Sequence, residues 1–79
     1  METKLSTVVQ GRKLVFCAPT DRVVDVAKRL ATEGVGAMAV VDGGKLVGIF
    51  TERDLLKRVV AAEKNPREIQ VRDVMTPNP

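Results

Sequence analysis

The chain has 79 residues, and its 13 Lys and Arg against 10 Asp and Glu give a net charge of +3. It lacks histidine, tyrosine and tryptophan and has one cysteine, which excludes an internal disulfide and argues against metal-binding, catalytic and nucleic-acid-binding functions. No apolar run is long enough to span a membrane and no signal peptide is visible, so we expect one small cytoplasmic domain.

The first strand is predicted after an N-terminal segment of residues 1–13. This segment shows no sustained periodicity, and we expect it to be loose or to lie along a neighbouring molecule. Residues 14–17 form a short run of β-prone side chains, and Pro19 ends the run because proline lacks a backbone donor.

The first helix is predicted over residues 21–33. Thr20 is a favourable N-cap residue, and Gly34 stands where a helix often ends in a left-handed conformation. The spacing of the apolar residues places one face of this helix against a core. That face consists of Val23, Ala27, Leu30 and Ala31.

A β-hairpin is predicted next. Residues 35–41 are almost all apolar and form a run of strand length, and Gly43 and Gly44 supply the positive φ angles that a tight turn needs. Residues 45–50 form the returning strand. Thr51 then occupies an N-cap position, three residues before Asp54.

The second helix is predicted to end near Ala62, since Asn65 and Pro66 interrupt the pattern. Residues 64–79 are interpreted as a connector, because their prolines exclude a regular helix. The predicted apolar stripe of the helix consists of Leu55, Leu56, Val59 and Val60.

The fold class is therefore α+β, with the order β-α-β-β-α and a small mixed sheet covered by two helices. One such unit leaves an apolar face unpaired, so we expect it to pair with a second copy as a homodimer. We expect the interface to use the apolar helix faces.

The motif GIFTERD at residues 48–54, together with the hairpin before it, resembles the CBS domain, a regulatory module named after cystathionine β-synthase. The resemblance covers roughly residues 15–60, within a domain that we place at residues 14–63, and the sequence VRDVMTPNP at residues 71–79 resembles the connector that opens a second copy. It implies a site for an adenosine ligand such as AMP, ADP, ATP or S-adenosylmethionine, with no other cofactor.

The resemblance also implies roles for particular residues. Asp54 would accept hydrogen bonds from the ribose hydroxyls, Thr51 would contact the sugar or phosphate, and Arg53 would lie near the phosphates. Thr76 would approach a second cleft. The adenine wall would consist of Val35, Gly36, Ala37 and Met38, with Val15 and Thr20 on the opposite wall.

Each of these residues also has a structural interpretation. Thr51 and Asp54 have the spacing of a helix capping box, Arg53 has the character of a solvated surface residue, and Met38 is a typical core filler. Two hypotheses therefore stand. The chain is a nucleotide-sensing regulatory module for an enzyme, transporter or channel, or it is a ligand-independent dimerisation module of the same fold.

Overall fold

The computed structural model describes residues 6–9 and 12–77, and within these residues five strands form one mixed sheet. The strand order follows the chain, β2 and β3 run parallel, and the other neighbouring pairs are antiparallel. The predicted mixed sheet is confirmed, with an extra strand at each edge. The strands are β1 (Ser6–Val9), β2 (Arg12–Cys17), β3 (Ala37–Asp42), β4 (Lys45–Thr51) and β5 (Thr76–Pro77).

The first helix, α1, spans Val23–Glu33 and ends as predicted at Gly34, whose φ of 68° is left-handed. Its predicted N-cap is wrong, because Arg22 and not Thr20 precedes the helix. The physical reason lies in the turn before it. The Asp21 carboxylate accepts a hydrogen bond from Ala18 N at 2.9 Å. This bond holds residues 18–21 in a non-helical turn, so the helix begins after them.

The hairpin of β3 and β4 has the predicted glycine turn. Gly43 and Gly44 have φ angles of 57° and 81°, which residues with a side chain rarely adopt. Opposed across the two strands, Met38 and Phe50 are both fully buried. They therefore place this face of the sheet in the core.

The second helix, α2, begins with an α-helical turn over Glu52–Asp54 and continues as a π-helix over Leu55–Val60. In this wider turn Ala61 N donates to Leu56 O, five residues earlier. The predicted single apolar stripe is therefore split. Val59 is buried and Leu55 half-buried, whereas Leu56 and Val60 are both 62% exposed.

One hydrophobic core joins β2, β3, β4 and both helices. Cys17 lies within it, and burial, reinforced by the charge of Asp21, raises the pKa of its thiol to about 11. This side chain therefore behaves as a small apolar residue at neutral pH. The buried residues are Val15, Cys17, Val23, Val26, Leu30, Met38, Val40, Phe50, Val59, Val71 and Val74.

Two of these core residues come from the predicted connector. Val71, 0% exposed, begins a short 3₁₀ turn, Val71–Asp73, and Val74, 2% exposed, follows it. Backbone hydrogen bonds tie the same segment to the start of α1, with Val71 N donating to Asp21 O and Val23 N donating to Ile69 O. The segment is thus an integral part of this domain's packing. Whether it also opens a second copy stays a prediction, as does the division of the chain into residues 1–13, 14–63 and 64–79.

The burial of Val71 generates a first prediction. Val71→Ala should lower the free energy of unfolding by roughly 1.5–3 kcal/mol, because it removes buried methyl groups and leaves a cavity. Val60→Ala makes the same chemical change at an exposed position, so it should shift stability by no more than about 0.5 kcal/mol. Urea unfolding followed by circular dichroism measures both. Equal effects of the two variants would contradict the placement of Val71 in the core.

Candidate ligand site

The start of α2 is a complete capping box. Thr51 Oγ1 accepts a hydrogen bond from Asp54 N, and an Asp54 carboxylate oxygen, Oδ2, accepts one from Thr51 N, both at 3.0 Å. These two bonds satisfy backbone donors that a helix start leaves unpaired. The structural role predicted for Thr51 and Asp54 is therefore confirmed.

Asp54 is the one charged residue that is buried among the described side chains of residues 13–77, with 5% of its surface exposed. A buried carboxylate needs hydrogen-bond or charge partners, since desolvation otherwise makes it very unfavourable. Besides Thr51 N, it accepts a hydrogen bond from Thr76 Oγ1, at 3.1 Å from Oδ1. Arg58 Nε lies 3.6 Å from the same oxygen.

Gly48, the first residue of the motif, makes room for the segment that carries Thr76. A Cβ added at Gly48 would lie 2.7 Å from Met75 Sδ and 2.8 Å from Thr76 O, which is closer than such atoms pack. In the same place β5 pairs with β4, with Gly48 opposite Pro77 and Ile49 opposite Thr76. The glycine therefore permits the close approach of two backbones.

Two of the proposed adenine-wall residues lie beside the start of α2. Gly36 O accepts a hydrogen bond from Glu52 N at 2.9 Å, and Ala37 stands opposite Thr51 in the β3–β4 register. Val35, just before them, is half-buried and packs on the core. The structure thus brings residues 35–37 together with the capping box, although they are far apart from it in sequence.

A shallow depression of about 210 Å³ lies on the sheet next to this group. It brings together three predicted residues, Val15, Ala37 and Met38, although Met38 and Val15 are themselves only 1% and 3% exposed. Ala37 links the depression to the capping box, because it lines the depression and pairs with Thr51, although neither Thr51 nor Asp54 lines the depression itself. The lining residues are Lys13, Leu14, Val15, Ala37, Met38, Ala39, Leu46 and Ile49.

The other six predicted residues do not line this depression: Thr51, Asp54, Val35 and Gly36 belong to the group at the start of α2, and Arg53 and Thr20 lie elsewhere. Arg53 is exposed on the first turn of α2, and Thr20 is exposed in the turn between β2 and α1. Neither lines the depression. Among the described residues, no group of three His, Cys, Asp or Glu side chains could hold a metal ion, and no helix is long and apolar enough to cross a membrane.

Sequence reasoning missed the contacts of Thr76 and Arg58 with Asp54 in the same copy. Arg58 is four residues after Asp54, a spacing that brings helical side chains together, so the signal was present. Thr76 is 22 residues away from Asp54, and only the docking of β5 brings the two side chains into contact. No local sequence pattern predicts that contact.

The fold and the site define a small α+β module, and comparison with known proteins gives its family. The family model described as "CBS domain" matches residues 7–61, well over half of the chain. The chain therefore belongs to the CBS domain family.

Similar proteins agree with this assignment. The chain is 41% identical over 76 residues to the CBS domain-containing protein CBSCBSPB3 of Arabidopsis thaliana, a match that covers 95% of the chain but 14% of that protein. It is also 41% identical over 68 residues to the uncharacterized protein YlbB of Bacillus subtilis, covering 84% of the chain and 45% of YlbB. The chain thus spans less than half the length of these relatives.

Solved structures show the same fold. A cystathionine beta-synthase domain protein fused to a Zn-ribbon-like domain superimposes with a TM-score of 0.80 and 42% identity, covering 84% of this chain and 94% of that one. The CBS-domain containing protein ATU1752 from Agrobacterium tumefaciens superimposes with a TM-score of 0.76 and 36% identity, covering 87% of this chain and 56% of the other.

A second prediction concerns the capping box. Asp54→Asn should lower the free energy of unfolding by about 1–2 kcal/mol, because the buried carboxylate loses its charge-assisted bonds. Asp73→Asn is the matched control. Asp73 Oδ2 accepts a bond from Gln70 N at 3.0 Å in the same local geometry, but the residue is exposed, so its loss should cost about 0.5 kcal/mol or less. Chemical denaturation of both variants checks this, and a larger loss for Asp73→Asn would contradict it.

Proposed function

We propose that the chain is a regulatory module that binds an adenosine ligand such as AMP, ADP, ATP or S-adenosylmethionine and performs no reaction. The observation that supports this most is a buried carboxylate, Asp54, that is bonded to Thr51, the residue opposite Ala37 at the border of an open apolar depression on the sheet. An apolar surface with a few placed polar groups is the usual composition of a small-molecule site. A carboxylate in that position suits a pair of ribose hydroxyls.

The membership of the CBS domain family adds to this proposal. The depression offers small side chains, Ala37 and Ala39, against which a flat base could lie, and Lys13 at its border supplies a cation. Arg53 is exposed on the first turn of α2 and carries a second cation for ligand phosphates. The occupied module would act in the cytoplasm on a partner enzyme, transporter or channel.

The cleft would be completed by a second copy. Three large apolar side chains are exposed on the sheet, Leu14, Leu46 and Ile49, each between 42% and 45%. All three line the depression, so pairing through this face would enclose a ligand between two copies. We therefore propose the sheet face as the interface, in place of the helix faces that the sequence led us to expect.

The alternative is a dimerisation module of the same fold without a ligand. One specific observation favours it, since the Asp54 carboxylate already has partners in Thr51 N and Thr76 Oγ1 within its own chain. Under this alternative Asp54 serves stability alone. The module would then pair with a second copy whether or not nucleotide is present.

A third prediction separates the two functions. Titration calorimetry with AMP, ADP, ATP and S-adenosylmethionine should show saturable binding, and Asp54→Asn should weaken it by about 10- to 100-fold, the range for hydrogen bonds to a charged group. Asp73→Asn should bind as the wild type does. The 2′-deoxy ligands should bind the wild type poorly. Absence of binding across the panel would leave the dimerisation module as the function, whereas equal binding by Asp54→Asn would contradict the assignment of the ribose to Asp54.

A fourth prediction concerns the pairing face. Sedimentation at tens of micromolar should give about twice the mass of one chain. Ile49→Asp should produce a monomer, because it places an unpaired charge in an apolar interface. Leu56→Asp is the control on the exposed side of α2 and should remain dimeric. The reverse outcome would restore the helix-face interface, and a folded monomeric wild type would remove the two-copy cleft.

A further inference from the structure

Residues 75–77 cover the carboxylate on which the proposed function depends. Thr76 Oγ1 lies 3.1 Å from Asp54 Oδ1 and 3.3 Å from Oδ2, so one hydroxyl spans both oxygens. Arg58 supports the same segment, because its Nη1 donates to Met75 O at 3.2 Å. The side chain of Asp54 is left 7% exposed.

A ribose could not reach this carboxylate with two hydroxyls while the cover is in place. A carboxylate has about four acceptor directions, of which Thr51 N and Thr76 Oγ1 use part, and the 7% exposure of the side chain leaves no room for two further hydroxyls. Thr51 N belongs to the sheet and to the capping box, so it cannot leave without disrupting the start of α2. The movable part of the cover is the Thr76 segment together with the Arg58 side chain, which is 51% exposed.

The segment is attached unevenly. Just before it, Val71 and Val74 are buried in the core and hold the chain. Beyond Val74, Thr76 and Pro77 are exposed and pair with β4 over two residues only. Segments with few buried contacts open at a lower free energy than the core to which they are joined. Met75 is half-buried against the core and its N donates to Val71 O at 2.8 Å, so it stays with Val74 while Thr76 and Pro77, the end of the 75–77 segment, can detach from β4.

We propose that residues 75–77 form a latch that closes on the Asp54 carboxylate through the Thr76 hydroxyl and must open before a ribose can bind there. The identity of the ligand in this inference rests on the proposed function, whereas the closed contact between Thr76 and Asp54 does not depend on any ligand. Gly48 is part of the same device, because a side chain at that position would hold Met75 and Thr76 away from β4.

Binding and latch closure then exclude each other. An adenosine ligand binds only the open form, so it shifts the population of that form in proportion to its affinity. By the same linkage, whatever stabilises the closed latch weakens ligand binding. Ligand occupancy is thereby converted into release of Thr76 and Pro77, which is the structural output of the module.

The test compares Thr76→Val with Thr76→Ser. Valine has nearly the shape of threonine but lacks the hydroxyl, whereas serine keeps it. Without ligand, ¹⁵N relaxation dispersion should show larger microsecond-to-millisecond exchange at Gly48, Met75 and position 76 in Thr76→Val than in the wild type, while Val71 and Val59 show no increase. Thr76→Ser should resemble the wild type. Unchanged exchange in Thr76→Val would overturn the latch.

The second arm measures affinity for AMP and ATP by calorimetry. Thr76→Val should bind about tenfold more tightly than the wild type, because its open form is more populated. Weaker binding by Thr76→Val would overturn the latch and make Thr76 a ligand contact. If residues 75 and 76 become more mobile in Thr76→Val and neither the wild type nor the variants bind nucleotide, the closed contact is supported and the nucleotide function fails. The two proposals therefore fail in distinguishable ways.

Discussion

The structure depends on how one buried carboxylate is satisfied. Asp54 is 5% exposed, and a charge at that depth is tolerated only with partners. Its partners come from three parts of the chain: Thr51 N at the end of β4, Arg58 on the next turn of α2, and the Thr76 hydroxyl on β5. One side chain therefore joins the strand that precedes α2, the helix itself and the C-terminal segment.

The same contact explains features that otherwise look unrelated. Gly48 is needed because β5 crosses β4 at a distance that excludes a Cβ, and β5 reaches that place because Val71 and Val74 are anchored in the core. Family membership explains why such a motif is present, but the packing explains what it does within a single copy. Asp54, which the family resemblance assigns to ligand binding, thus also holds α2 and β5 in place within one copy.

The elements predicted correctly are those with local signals. The hairpin turn at Gly43 and Gly44, the left-handed end of α1 at Gly34 and the capping box from Thr51 each depend on residues within a few positions. The errors arose where distant residues decide. β1 is a strand only because it pairs with β2, and β5 only because it pairs with β4. The start of α1 is set by the preceding turn, whose backbone is hydrogen-bonded to the C-terminal segment. For the site, sequence predicted Asp54 and the neighbouring β3 residues and assigned Thr76 to a second cleft, but it did not predict the contact of Thr76 with Asp54, because a two-residue strand has no pattern of its own.

The most direct measurement of the central contact is a double-mutant cycle on stability between Asp54→Asn and Thr76→Val. Both residues lie in one hydrogen-bonded group, so the two losses should not add, and the interaction free energy should fall between about 0.5 and 3 kcal/mol. The cycle needs no ligand and no second copy. Losses that add within about 0.3 kcal/mol would show that the Thr76 hydroxyl does not bind the Asp54 carboxylate in solution, and would contradict the account.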